Sequence, residues 1–267
     1  MAYETGTATD YRDLLRKLRT FLTGTLTPTG ERWQELRWVE NAATQELILK
    51  GPGLAGADTI YVGIRSDQNV ALDTYNWHIQ GATGYLPLDA WADQPNISPE
   101  RHMALWNQPM PYWFVANGRR ILVAARVSTR LMLIHLGLVL PYATPGQYPY
   151  PLMVMGSSSD TRWSSVASNL APVIHTPGGG WAIYAQLWPV GLSTMPSPGN
   201  VYPVMRIVIS ADNNGHQDVL GEIDGLAHVS GYANATENTL TVGAATWLLL
   251  QDVAQTGITN YTALKLE

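Results

Sequence analysis

The sequence predicts a mainly β protein, an antiparallel sandwich- or barrel-like fold of one or two domains with a single N-terminal amphipathic helix. Helical periodicity is confined to one stretch near the start. Short runs of β-branched and aromatic residues separated by turn residues follow it, and an Asn-Gly pair joins two of those runs. A chain of 267 residues can bury the core of one large β domain or of two smaller ones. The pattern divides it into a helix and arm over 1–30, a β domain over 31–155 and a second β half or domain over 156–267.

The helix comes first. Tyr11, Leu14, Leu15, Leu18, Phe21 and Leu22 recur at helical spacing and share one face. Asp10 is placed to cap its N-terminus and Asp13 adds negative charge to the first turn. Arg16, Lys17 and Arg19 follow, and Gly24 is placed to close the helix. A face that wide must be buried, either on the parent β domain or on a neighbouring subunit. Tyr11, Leu14, Leu18 and Phe21 are therefore candidate interface residues.

Beyond the helix, Trp33–Trp38, Glu46–Leu49 and Thr59–Ile64 read as short strands, with Gly51-Pro52-Gly53 and Gly56 in a loop. Tyr75, Trp77 and Ile79 alternate with Asn76, His78 and Gln80, so one side of that strand faces a core. Tyr112–Ala116 and Arg119–Ala124 flank Asn117-Gly118, a pair suited to the two positive φ angles of a type I′ hairpin turn. Leu131–Leu140 reads as a third strand beside the hairpin, buried on both faces and ended by Pro141.

Pro141–Pro151 breaks regular structure, because its prolines cannot donate to a ladder and restrain the residues before them. It reads as an ordered contact arm whose Tyr142, Tyr148 and Tyr150 press on a neighbouring subunit. The alternatives are a linker between β halves or tyrosines folded back on their own domain. Strands resume at Trp181–Trp188 and Val204–Ser210. Residues 238–266 read as closing strands with a short helical turn near Trp247–Val253. No repeat of fixed period is present.

Composition narrows the function. Charged residues are 14% of the chain, against roughly 25% in ordinary domains, and ten Trp and thirteen Tyr stand against two Phe. Low charge with amphipathic aromatics suits surfaces that partners cover. A net charge of −5 gives no basic footprint for nucleic acid. The polar Met1–Asp10 segment carries no apolar signal core, and no apolar run approaches the ~20 residues of a membrane span, so membrane insertion is not expected. With no cysteine there is no disulfide framework, as suits folding in a reducing cytoplasm.

Catalytic and metal patterns are weak. The six His are scattered, and none has a second at the i+4 spacing that places two ligands on one helix face. His135, inside an apolar run, reads as a core histidine. Gly178-Gly179-Gly180 lacks the Lys-Ser/Thr ending of a phosphate loop, and Ser157-Ser158-Ser159 lacks a nucleophile elbow. Asp212-Asn213-Asn214-Gly215 reads as a polar hairpin turn rather than a calcium loop. Asp218, Glu222 and Asp224 read as solvated loop charges. No catalytic residue, cofactor or metal is expected, and an enzyme is disfavoured.

Several stretches carry a resemblance. They are Tyr3–Leu15 with Arg19–Thr23, Leu47–Gly53 with Ile60–Ile64, Pro111–Arg120 and Leu140–Pro151, in consistent order over about the first 150 residues. Together they resemble a group of structural proteins of tailed bacteriophages and related prophages. The resemblance implies a virion structural component, in the tail or baseplate of a contractile-tailed particle, made in the bacterial host cytoplasm. Its implied partners are other virion proteins and further copies of itself, and it carries over no catalytic residue. The alternative is a tail module that binds host-surface carbohydrate or protein, with Trp163, Trp181 or Tyr184 as stacking platforms.

Overall fold

The computed structural model describes residues 2–42, 44–53, 60–161, 170–183, 185–190, 203–213, 215–251 and 257–266. It is mainly β, with three antiparallel sheets and one helix, α1 (Tyr11–Thr20). The central sheet orders Ala2–Ala8, Met110–Ala116, Arg120–Val127, Arg130–Leu138, Leu152–Gly156, Ala171–His175 and Trp181–Ala182. It takes strands from both sides of residue 30 and of residue 155. The lateral sheet runs in chain order through Gln34–Glu40, Gln45–Gly51, Ile60–Asn69, Thr74–Ala82 and Arg101–Leu105. The C-terminal sheet orders Gln186–Trp188, Met205–Asn213, His216–Val229, Tyr261–Leu266, Ala245–Gln251 and Thr239–Val242, and Leu140–Pro141 pairs onto its long strand.

The central sheet is the middle layer, and its residue alternation shows why. Ile121, Val123 and Ala125 join α1 and the lateral sheet in one core, while Leu122 and Ala124 join Ile209, Leu226 and Leu264 of the C-terminal sheet in another. A strand buried on both faces has no use for polar alternation, which is why Leu131–Leu138 is apolar on both faces apart from His135.

The α1 cap forms as its sequence implies: Asp10 Oδ1 accepts from the N–H groups of Arg12 and Asp13 at 2.7 and 2.8 Å. Its exit differs. After Thr20 the chain widens into a π turn over Phe21–Thr25, closed by Leu26 N–H donating to the Phe21 carbonyl. The hydroxyls of Thr20 and Thr23 bond back to the carbonyls four residues earlier, and Gly24 lies inside the turn instead of ending the helix.

The Asn-Gly hairpin forms, but with a different turn. Ala116 pairs with Ile121 and Asn117 N–H donates to the Arg120 carbonyl, so Gly118 and Arg119 are the central residues. Neither Asn117 nor Gly118 has positive φ. Asn117 Oδ1 instead accepts from Arg119 and Arg120 N–H at 2.9 and 3.0 Å, and this side-chain bond sets the turn. Gly118 is required for closeness: an added Cβ would stand 2.7 Å from the Gly53 carbonyl oxygen. Gly118→Val is therefore expected to destabilise the chain by about 1–3 kcal/mol through overpacking, read as a lower urea midpoint.

Three further strand assignments shift. Ala2–Ala8, polar in sequence, is an edge strand paired with Met110–Ala116. The Trp181–Trp188 run splits, with Trp181–Ala182 on the central sheet and Gln186–Trp188 on the C-terminal sheet. Where a helical turn was expected near Trp247–Val253, Ala245–Gln251 is a strand flanked by strands on both sides, and ladder bonding wins over local propensity. Residues 252–256 of that region lie outside the described residues.

Candidate functional site

The helix face predicted as an interface is spent inside the chain. Tyr11, Leu14, Leu18 and Phe21 are 0–2% exposed, with Phe21 5.8 Å from the Phe114 ring and Trp77 Nε1 donating to the Tyr11 carbonyl. The sequence left the docking partner open; the chain itself provides it, and no surface of these side chains remains for a neighbour.

The proline segment divides in the same way. Tyr148 is buried beneath the central sheet, its hydroxyl donating to the His175 carbonyl. Tyr150 lies edge-on to the His175 ring at 6.0 Å. Tyr142 is 57% exposed, and its hydroxyl donates to Glu222 Oε1 at 2.8 Å. The arm reading is thus corrected at Tyr148 and Tyr150, which fold back on their own chain, while Tyr142 stays available. Tyr148→Ser is expected to cost about 3–5 kcal/mol of stability, whereas Tyr142→Ser should stay within about 0.5 kcal/mol, both measured by denaturant unfolding.

A polar network sits between the central and C-terminal sheets at the hairpin tip. Arg120 is wholly buried, and its Nε donates to Asp224 Oδ2 at 2.9 Å, which also accepts from Asn117 Nδ2 at 3.2 Å. Burial pushes the Asp224 carboxyl up, but the Arg120 charge and the Arg120 and Asn117 hydrogen bonds outweigh it and hold it below its ordinary value. Gly225, at φ +79°, makes room for the guanidinium, since a Cβ there would stand 2.2 Å from Arg120 Nη2. His135 lies on the same face. Burial, with the Arg120 charge, pushes its imidazole down to about 3.

Beside this network a groove of about 340 Å³ is lined by Leu140, Arg206, Glu222, Asp224, Trp247 and Lys265, among others. Both Glu222 oxygens are engaged, by Tyr142 and by Arg206 Nη1 at 2.9 Å. Asp224 is held by Arg120. Each carboxylate on this wall of the groove is thus ion-paired, Glu222 with Arg206 and Asp224 with Arg120.

Two of the six His do meet. His78 and His102 are directly opposed on neighbouring strands of the lateral sheet, on its outer face, with ring centroids 4.7 Å apart. Glu100, two residues before His102, reaches the same spot: His78 Nδ1 lies 2.6 Å from its Oε1 and His102 Nε2 3.8 Å from the same atom. Burial alone would raise the Glu100 carboxyl, but the His78 hydrogen bond and the charges of His78, His102 and Arg65 hold it below its ordinary value. Burial and the His78 charge lower the His102 imidazole. Helical spacing does not find this cluster. The usable signal is strand alternation, which puts His78 on the solvent side of its strand and His102 on the same side of the neighbouring one, with Glu100 in the extended residues just before that strand. The three ligand atoms lie within 4.8 Å of one another, so these residues could hold a metal ion.

On the outer face of the lateral sheet the connection between Ala82 and Arg101 is pinned. Gln94, 3% exposed, accepts from Leu86 N–H at 2.6 Å and donates to the Leu86, Asp89 and Ala90 carbonyls. Arg37 Nη2 donates to the carbonyls of Pro87 and Asp89, on either side of Leu88. Leu88 itself is 99% exposed. At the opposite end of the sheet, Val70 and Leu72 stand 69% and 72% exposed on a 3₁₀ turn whose Leu72 N–H is held by Asn69 Oδ1. Of the aromatic platforms expected from sequence, Trp163 and Tyr184 lie outside the described residues. Trp181 is half-buried, its Nε1 donating to the Asn96 carbonyl.

The class defined by these features is a mainly β, three-sheet protein with a pinned, solvent-facing apolar tip. No protein-family model matches the chain, and no curated protein is detectably similar to it. Among the described residues no helix is long and apolar enough to cross a membrane.

Proposed function

We propose that this chain is a structural component of a bacteriophage particle, in its tail or baseplate, acting through contacts with other virion proteins and with further copies of itself. The observation that carries the reading is Leu88. A fully exposed leucine on a loop fixed by Gln94 and Arg37 is preorganised, so a partner that covers it gains apolar burial without the entropy cost of ordering the loop. Val70, Leu72 and Tyr142 repeat this on separate surfaces, which suits several modest contacts more than one deep pocket. The low charge and the resemblance over the first half of the chain support the same reading. In particles purified from the encoding strain, the wild-type chain should co-sediment at fixed stoichiometry. Leu88→Asp with Leu72→Asp should leave the isolated chain's melting temperature near normal and reduce incorporation at least tenfold. A wild-type chain confined to the soluble fraction, or full incorporation of the double variant, overturns the proposal.

The groove beside Trp247 supports a second reading, a tail module that grips host-surface carbohydrate by stacking on that indole. Retention on host-surface glycans, abolished by Trp247→Ala, would favour it.

A further inference from the structure

We propose that His78, Glu100 and His102 form a binding site for a divalent transition-metal ion, best matched by zinc. This inference is independent of the virion reading. Two imidazoles and one carboxylate converge on the outer face of the lateral sheet, and their ligand atoms lie within 4.8 Å of one another. Zinc bonds to nitrogen and oxygen of about 2.0–2.2 Å place tetrahedral ligands roughly 3.3–3.5 Å apart. The Glu100 oxygen stands 2.6 Å from His78 Nδ1 and 3.8 Å from His102 Nε2, separations that bracket this spacing. Side-chain adjustments of about an ångström seat the ion where the His78–Glu100 hydrogen bond now lies; Nδ1 gives up its proton, and the neutral ring that ligates the ion carries its one proton on Nε2.

A second feature points the same way. The other nitrogen of His78, Nε2, faces Asp67 Oδ2 at 3.7 Å. That separation is too long for a hydrogen bond as it stands, but a small rotation of the half-exposed Asp67 side chain would close it. A carboxylate bonded to the far nitrogen fixes the tautomer and orientation of a metal-bound imidazole and raises its basicity. Arg65, 3.8 Å from the second oxygen of Glu100, balances part of the site's negative charge. Imidazole donors favour zinc and its neighbours over magnesium or calcium, which prefer all-oxygen sites. The His78, Glu100 and His102 side chains are 15%, 33% and 17% exposed, so a fourth position is open to water or to a group from a neighbouring molecule. The bound ion would fasten the end of the Ala82–Arg101 connection and the edge strand Arg101–Leu105 to Thr74–Ala82.

Equilibrium dialysis of the full chain against zinc chloride tests the site. One ion per chain is expected, with no comparable uptake of magnesium and a raised melting temperature. His102→Ala should weaken zinc binding more than tenfold, Asp67→Asn should weaken it about 10- to 100-fold without changing the stoichiometry, and His216→Ala should leave it unchanged. If His102→Ala fails to fold, the wild type still decides. Cobalt should give a tetrahedral d–d absorption, and zinc should protect His78 and His102, but not His216, from diethyl pyrocarbonate. Absence of stoichiometric zinc uptake, or uptake that His102→Ala leaves intact, overturns the proposal.

Discussion

Asp224→Ala will cost about 3–5 kcal/mol of stability, a large share of the 5–15 kcal/mol that holds a typical domain folded. The reason is Arg120. Its guanidinium is 0% exposed between two sheets, and Asp224 Oδ2 accepts from its Nε at 2.9 Å. Removing the carboxylate leaves a buried positive charge that cannot lose its proton at any ordinary pH, and it leaves the Asn117 amide without this acceptor. Replacing both members, as in Arg120→Met with Asp224→Leu, should recover much of the loss, because the cost arises from taking away one partner of a buried charge and not from a strongly favourable pair. The sign with pH follows. The folded Asp224 carboxyl titrates below its unfolded value of 3.8, so its contribution is complete above that value and is lost as pH falls through the lower, folded one. Urea unfolding of the wild type, single and double variants at neutral pH measures these differences. A loss below about 1 kcal/mol for Asp224→Ala would contradict the network's role.

The second large effect is acid sensitivity at His135. Buried between the central and C-terminal sheets, it stays neutral in the folded state down to about 3, whereas the unfolded chain binds a proton near 6.5. The unfolded state therefore takes up more protons between these values, and stability falls as pH falls, by up to about 1.4 kcal/mol per unit. Between neutrality and pH 4.5 this one residue should remove about 2–3 kcal/mol. His135→Leu, of similar bulk and without a titratable ring, should flatten the slope while leaving a smaller one of the same sign from His102 and His175, whose imidazoles are also lowered. Thermal unfolding across pH 4.5–7.5 reads this directly, and an unchanged slope in the variant would contradict it.

Elements that depend on local pattern were legible in the sequence. The apolar spacing and Asp10 locate α1, and Asn117-Gly118 marks the hairpin, although the side-chain oxygen of Asn117 and the closeness of Gly53 decide its turn. Elements that depend on partners were not. Ala2–Ala8 carries little strand signal because it is a half-exposed edge held by pairing with Met110–Ala116. The burial of Tyr148 depends on the His175 strand, far along the chain. The meeting of His78 and His102 depends on the register of two strands joined by a long connection, and a search by spacing cannot supply that register.

The central claim is that the exposed apolar tips are covered in an assembled particle. Hydroxyl-radical footprinting of the free chain and of the chain within purified particles measures that cover residue by residue. The account predicts strong oxidation of Val70, Leu72, Leu88 and Tyr142 in the free chain and several-fold protection of Leu88 and at least one of the others in the particle. Tyr148 should be protected in both. Equal oxidation of all four residues in the two states would contradict it.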